Sequence, residues 1–569
     1  MGAKDKIGYT GFMSEEKLRE LLVTPGFVNA PAFEAAAKEA RERGQDIEDF
    51  LVEKDLIKDE QLGQLVAGSF QMPFANLHEE KIDDRLLNLV PELVARTHGV
   101  ILFGRDEKGV KAGVRNPSDV DIIHLLEKRI GEPLFLYYVT KRGFLDALSH
   151  YRVGLKNEFT KIVEKLKDPG LSREARDGVT VTIVDMLLRY GYESKASDIH
   201  IEPHMKTMAV RFRIDGVMHD VLEIQKGLLE LILTRIKILA RMRTDEHRAA
   251  QDGRLEFEAD GEKVDVRVSV VPVTEGENVV MRLLSAKSRQ YSLTDLGLSD
   301  RDYDRAMRTM RNPHGMILVT GPTGSGKTTT IYAMLKVLNT REVHIATIED
   351  PVEYDIEGVS QIQVNPRTNL TFAKGLRAIV RQDPDIIMVG EIRDEETAGI
   401  AVNSAMTGHL VLSTLHANDA ATTLPRLLDM GVEPYLVAST VNVVVAQRLV
   451  RKICHRCRES HELSPDERKL IESNENLQHL IGQSLDGLRL YKGSGCSVCA
   501  ETGYSGRIGI FEVLEMDEEV RGLITNHAPS GDIMKVARKN GMTTMLEDGI
   551  GKVLSGATTL GEILRATKE

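Results

Sequence analysis

Short, unbroken apolar runs punctuate the middle of this chain. Met316-Ile317-Leu318-Val319, Ile345-Ala346-Thr347-Ile348 and Ile386-Ile387-Met388-Val389 are three of them, and Leu410-Val411-Leu412 lies in a fourth. Runs this short and this uniformly apolar predict strands covered on both faces. Helix-compatible stretches separate them, which predicts an α/β core. Upstream the period changes to two. Ala209 to Ile214, Arg254 to Phe257 and Lys263 to Val270 alternate, and Asp215-Gly216 and Asp260-Gly261 are hairpin signals. This predicts a mixed-sheet domain over about 176–288, opened by a helical pattern from Thr180 to Arg189. Residues 289–569 then form the core domain and its tail.

The region 1–150 carries helical periodicity. Lys17 to Val23 followed by Gly26-Phe27-Val28, and Ile47 to Val52 followed by Leu56-Ile57, each predict a helix, a turn, an apolar pair and a second helix. Val110 to Val114 followed by Asn116-Pro117-Ser118-Asp119 predicts a strand whose turn caps a helix. A small N-terminal α/β domain is expected. Charged residues 151–175, with Asp168-Pro169-Gly170, are read as a linker.

A chain of 569 residues is too long for one core. Its formal net charge of −12 weighs against nucleic acid as a main partner. No apolar run reaches the roughly 20 residues of a membrane span, and the N-terminus has no signal-peptide core. The chain is therefore expected in the cytoplasm, with any membrane link running through a protein partner.

Chemistry enters after the first apolar run. Gly321-Pro322-Thr323-Gly324-Ser325-Gly326-Lys327-Thr328 satisfies G-x-x-x-x-G-K-[ST] between a predicted strand and a helical run from Thr329 to Leu338. Backbone N–H groups of such a turn, with the helix N-terminus, cradle phosphates. Lys327 would reach the β- and γ-phosphates and the Thr328 hydroxyl would hold Mg²⁺. Glu349-Asp350-Pro351-Val352-Glu353 follows the second apolar run and Glu391 the third. These are the strand ends where ligands of open parallel sheets lie. The slot that ordinarily holds a Mg²⁺-bearing aspartate is Gly390, so the metal or its waters look to Glu391 or the Asp350 cluster. His409 and His416 bracket the fourth run. Their odd separation turns them to opposite faces of a regular strand, so one is expected near the γ-phosphate and the other is open to a structural reading. Arg377, Arg381 and Arg393 flank the Glu391 strand, and Arg213, Arg254, Arg267 and Arg282 lie in the preceding sheet. Taken alone, these arginines are strand-edge cations.

The four cysteines are Cys454, Cys457, Cys496 and Cys499, two Cys-x-x-Cys pairs around a long insertion. Two such pairs complete a closed, structural Zn²⁺ site. Four plain thiols are the alternative reading. The zinc insertion is placed at 451–503.

Together these residues resemble the secretion-type ATPases of type II secretion and type IV pilus assembly. The marks are Ser197-Asp198-Ile199-His200-Ile201-Glu202-Pro203, Arg211 to Gly216, Gln251-Asp252-Gly253-Arg254, the phosphate loop and the acidic box at 349–353. Arg381-Gln382-Asp383-Pro384-Asp385, Gly390-Glu391-Ile392-Arg393-Asp394, the histidine box 409–416, Ala446-Gln447-Arg448-Leu449 and the four cysteines complete them. The resemblance covers about 170–569. It implies a RecA-like P-loop core behind a PAS-like sheet domain, a Mg²⁺-dependent ATPase, and a homo-hexamer that drives an inner-membrane platform protein. ATP would sit between sheet domain and core. Arg267 and Arg282 would face it from the sheet, and Arg377, Arg381 and Arg393 from the core. Glu391 takes the second acidic-motif role, and Glu353 is expected to be the water-activating base with Glu349 in reserve. The four cysteines fit extension or secretion ATPases, and overall likeness favours pilus extension over type II secretion. A DNA-uptake motor is the rival of another class. Some N-terminal modules of the family bind cyclic di-GMP through motifs that open Arg-Leu-Gly. Lys17-Leu18-Arg19 and the second stretch lack that opening, which counts against this ligand.

Overall fold

The computed structural model describes residues 13–569 except 43–45, 55, 81, 88, 91, 107–108, 118, 149, 152–172, 260–261, 285–290, 482–484, 497–498, 500–501 and 568–569. Most of the expected linker, the Asp260-Gly261 turn and Ser118 lie outside the described residues. The chain divides near Leu283 into two compact units, the short stretch 495–501 being grouped with the first.

The first unit opens with helices Glu15–Leu22, Ala30–Glu42, Ile47–Glu53 and Asp59–Ser69, two helix pairs in the expected pattern. Leu18, Phe33, Phe50 and Val66 close their shared core. A three-stranded sheet of Val100–Asp106, Gly109–Val114 and Leu134–Tyr138 follows, with its own core around Leu102, Val110 and Leu126. Asp119 stands at the cap of helix Val120–Ile130 but makes no side-chain cap bond. Its Oδ2 instead meets His98 Nδ1 at 3.2 Å.

Helix Arg173–Glu193 leads into a six-stranded sheet. Its first three strands are Ala196–Pro203, Thr207–Ile214 and Val217–Gln225, and the other three are Gln251–Ala259, Glu262–Val273 and Gly276–Leu284. Periodicity located three of these strands. The other three, Ala196–Pro203, Val217–Gln225 and Gly276–Leu284, lay outside the alternating segments. Asp215 and Gly216 both take positive φ, 50° and 84°, as a tight hairpin turn requires. Ile199, Phe212, Val266 and Met281 fill the covered face, while Asp198, Arg213 and Arg267 alternate onto the other.

The second unit is built on seven strands, labelled here in chain order. They are β1 Gly315–Thr320, β2 Ile345–Glu349, β3 Val359–Gln363, β4 Ile386–Val389, β5 Leu410–Leu415, β6 Val441–Ile453 and β7 Tyr504–Glu515. Their spatial order is β3-β2-β4-β5-β1-β6-β7. The first six run parallel and β7 is antiparallel to β6. Alternate residues feed two cores. Met316, Leu318, Ile348, Val389 and Val411 pack with helices Phe372–Ile379, Glu395–Met406 and Ala420–Asp429. Ile317, Val319, Ile345, Met388 and Leu412 pack with helix Lys327–Leu338, labelled α1, and helix Asp300–Met310. Coverage on both faces is why these strands read as continuous apolar runs. Because β1, β2, β4 and β5 are parallel, the segments after them leave from one edge of the sheet. Residues 321–326, 350–358, 390–394 and 416–419 therefore share that edge.

Among the described residues no helix is long and apolar enough to cross a membrane.

Candidate nucleotide site

Every residue of β1 is buried, so the strand delivers residue 321 to a fixed point. Thr320 Oγ1 fastens that end to its neighbour, donating to the Leu415 carbonyl at 3.1 Å and accepting from the Ala417 N–H at 3.0 Å. The chain then turns through Gly321, Gly324 and Gly326, with φ of 147°, 80° and 89°. Gly326 caps α1 without a side-chain cap bond, leaving the first-turn N–H groups for an anion. Ser325 Oγ is buried and, among the described residues, has no hydrogen-bond partner, a hydroxyl suited to a phosphate oxygen. Lys327 Nζ folds back onto the loop, donating to the carbonyls of Gly321 at 2.9 Å and Pro322 at 3.1 Å. Burial lowers its pKa from the usual lysine value, and the nearby Glu391 carboxylate opposes that shift. Thr328 and Thr329 follow, half-buried, on the first turn of α1.

Gln447 on β6 braces this loop. Its Nε2 donates to the Ser325 carbonyl at 2.7 Å and its Oε1 accepts from Thr330 Oγ1 at 2.6 Å. A Cβ on Gly321 would lie 2.5 Å from the Gln447 backbone oxygen and 2.6 Å from Ser325 Oγ. Gly321→Ala is accordingly expected to distort the loop. Strain of about 1.5–3 kcal/mol translates into ATP binding weakened about tenfold or more. Titration with a fluorescent ATP analogue checks this, and unchanged affinity would mean that the loop is not held against β6.

The acids divide by environment. Glu391 reaches Arg393 Nη2 at 2.6 Å and His416 Nε2 at 3.5 Å, and its charge acts on Lys327. Arg393 is held more firmly protonated by its bond to Glu391, with a further contribution from Asp350. Glu391, Asp350, Arg393, His416 and Lys327 thus form one electrostatic group at the carboxyl edge of the sheet. Gly390 fits here for a steric reason: a Cβ would lie 3.3 Å from Glu349 Cα and from the Ile348 carbonyl. Glu349 is buried inside the β2 end. Its Oε1 accepts from Thr347 Oγ1 at 2.6 Å and Gln361 Nε2 at 3.1 Å, and its Oε2 accepts from the Tyr332 hydroxyl. This is an anchored, structural carboxylate rather than one facing a water. Glu353 is half-buried on the loop that follows, and its N–H donates to Tyr332 Oη at 3.3 Å.

The two histidines are separated. His416 follows β5 and joins Glu391. His409 precedes β5, its carbonyl accepting from the N–H of Gly315 at the start of β1 and its ring meeting the Ser404 carbonyl at 3.0 Å. It lies at the amino edge of the sheet, so the structure does not bring it to the phosphate loop. Arg377 pairs with Glu396 at 2.7 Å and Arg381 is exposed. In the first unit, Arg282 Nε donates to buried Asp198 at 2.9 Å, and Arg267 stands directly across from Arg254. Sequence reasoning gave no role to Tyr332, Gln361 or Gln447. Gln447 stood inside a quoted motif, but nothing in that motif's spacing pointed to the loop.

The sulfurs of Cys454, Cys457, Cys496 and Cys499 all lie within 4.8 Å of one another. Cys496 Sγ and Cys499 Sγ are 3.7 Å apart, well beyond a disulfide bond. A tetrahedron of thiolates on zinc, with bonds of about 2.3 Å, would space sulfurs by about 3.8 Å. The donor set and its spacing fit that ion.

The family model for type II/IV secretion system proteins matches residues 173–565, and that for the MshEN domain matches residues 70–158. The type II secretion system ATPase E of Vibrio cholerae is 45% identical over 73% of this chain and 80% of its own. The type IV pilus assembly ATPase PilB of Myxococcus xanthus is 38% identical over 97% of this chain and 99% of its own. The X-ray structure of the ATPase DotB from Yersinia pseudotuberculosis superposes with a TM-score of 0.50 at 19% identity, covering 68% of this chain and 93% of that one, a likeness of fold alone. Phosphate loop, acidic strand ends and four clustered cysteines stand within the matched span, and the chain belongs to the type II/IV secretion system protein family.

Proposed function

We propose that this chain is a Mg²⁺-dependent ATPase that works as a homo-hexameric motor for type IV pilus assembly, acting through an inner-membrane platform protein. The observation that carries the pilus reading is collinearity. The likeness to the Myxococcus xanthus PilB runs through 97% of this chain, N-terminal region included. The nucleotide would bind residues 321–329, with its terminal phosphates taking the place of the two carbonyls that now hold Lys327. Thr328 would hold Mg²⁺, with Glu391 and Asp350 beside it, and the ion would neutralise charge on the transferred phosphoryl group. Glu353 would activate water. Arg393 would meet developing negative charge, and Arg267, Arg282, Arg377 and Arg381 would add to it within the ring. Zinc on the four cysteines would be structural. Cyclic di-GMP is the weakest part of this reading: the stretch at Lys17 lacks the Arg-Leu-Gly opening, and it lies outside residues 70–158 that match the MshEN domain.

Type II secretion is the second reading. It is favoured by the higher identity, 45%, to the Vibrio cholerae ATPase over the part that aligns. Deleting the gene in its host separates the two. Loss of surface pili with exoprotein export intact supports the pilus motor. Loss of export with pili intact replaces it with the secretion motor.

A further inference from the structure

A buried polar cluster links the helix of the phosphate loop to the loop that carries Glu353. Tyr332 stands on α1, five residues after Lys327, and is fully buried. Its hydroxyl donates to Glu349 Oε2 and accepts from the Glu353 N–H at 3.3 Å. Gln361, on β3, grips the same loop further along. Its Nε2 donates to Glu349 Oε1 at 3.1 Å and to the Tyr354 carbonyl at 3.2 Å, and its Oε1 accepts from the Ile356 N–H at 2.7 Å. The Tyr354 ring packs edge-on against Tyr332, centroids 4.7 Å apart. Buried Glu349 is the hub, with three side-chain donors on its two oxygens.

Filling this space would not require polar atoms. Phenylalanine has the shape of tyrosine, and leucine nearly that of glutamine. Buried polar groups are costly unless paired, and when fully paired they select one arrangement of the chain. Here the arrangement selected is that of residues 353–356.

We propose that Tyr332 and Gln361 are positioning residues that fix Glu353 relative to the phosphate loop, so that the helix beginning at Lys327 carries the water-activating acid with it. The inference rests on the reading of Glu353 as that acid. A nucleotide seated on Lys327 and Thr328 would then be registered to the acid through one rigid turn and a half of α1, not through a flexible loop. Burial first, and the neighbouring Glu349 carboxylate second, push the Tyr332 phenol far above its ordinary pKa. The hydroxyl therefore remains a donor near neutral pH. Glu349 becomes the anchor of the device.

The test is Tyr332→Phe and Gln361→Leu in the full-length chain. Each is expected to lower kcat about tenfold or more, part of what a general base supplies. KM for ATP and the affinity for a fluorescent ATP analogue should change less than about threefold, and melting should stay cooperative, with Tm lowered by several degrees as the buried partners of the lost group go unpaired. In a Glu353→Gln background, Tyr332→Phe should remove less than about a further twofold, because two groups acting as one unit are not additive. Wild-type kcat in Tyr332→Phe overturns the positioning role and leaves the base assignment standing. So does an undiminished loss in the Glu353→Gln background, which is what a general packing defect would give. Wild-type kcat in Glu353→Gln alone overturns the base assignment and the proposal with it.

Discussion

Replacing Lys327 with alanine is expected to lower ATP turnover about a thousandfold while leaving Tm within about 2 °C of the parent. Both halves follow from the same contacts. The ammonium bonds to two carbonyls of its own turn and, among the described residues, reaches no carboxylate at ion-pair distance. Burial already disfavours its charge, so the fold loses little when it goes. With ATP bound the balance reverses. A positive charge about 4 Å from a phosphate oxygen at a partly buried site is worth about 4 kcal/mol, or about three orders of magnitude in an equilibrium or rate. Phosphate release measures the turnover, a fluorescent ATP analogue the binding, and thermal melting the fold. A variant that binds and hydrolyses ATP normally would falsify the assignment of residues 321–328. A variant that no longer melts cooperatively would show instead that Lys327 is structural.

Legibility in the sequence followed burial and local geometry. Four strands of the core sheet, β1, β2, β4 and β5, stood out because both faces are covered and their runs are almost wholly apolar; β3, with Ser360, Gln361 and Gln363, did not, and neither did β6 or β7. Asp215-Gly216 stood out because few residue pairs tolerate two positive φ values in succession. The phosphate loop was readable because its chemistry is contiguous: glycines, lysine and threonine act within one turn. What could not be read depends on pairing between distant segments. Glu349 looked like a reserve base because it ends a strand beside other acids. Its burial comes from Tyr332 and Gln361, 17 and 12 residues away in either direction, and no spacing rule joins them. The odd separation of His409 and His416 bears on the faces of a strand, but neither residue lies on Leu410–Leu415. The decisive difference is that one precedes the strand and the other follows it, which puts them at opposite edges of the sheet. Gln447 reaches the loop from 122 residues downstream of Ser325, across a strand pairing that only the fold creates.

Cys454→Ser is expected to release zinc and lower Tm by about 5–10 °C, with ATP binding changed less than about twofold. The cluster sits at the neck of an insertion. Beyond Cys457 the chain forms the hairpin Arg458–Glu462 with Arg489–Gly493 and the helices Pro465–Glu472 and Glu475–Ile481. Backbone bonds tighten the neck: Cys454 N–H donates to the Gly503 carbonyl and Ser494 N–H to the Cys457 carbonyl, each at 2.9 Å. Gly493 and Gly503 approach so closely that a Cβ on Gly493 would lie 2.0 Å from the Gly503 oxygen. Such contact between strand and return segment needs a clamp, and four sulfurs within 4.8 Å supply the ligands for one. The insertion also contributes Ile471, Leu477 and Leu490 to the main core, so losing the metal should loosen its base without expelling it. That is why the expected shift is a fraction of the roughly 10 kcal/mol or more that zinc contributes to an isolated finger peptide. Metal analysis of the purified wild-type chain should find about one zinc per chain. In Cys454→Ser, limited proteolysis should cut faster between residues 458 and 493. A wild-type chain that carries no zinc and melts identically with and without a chelator would leave four plain thiols as the correct reading. A Cys454→Ser protein that loses ATP binding together with its metal would mean that the clamp supports the nucleotide site as well as the insertion.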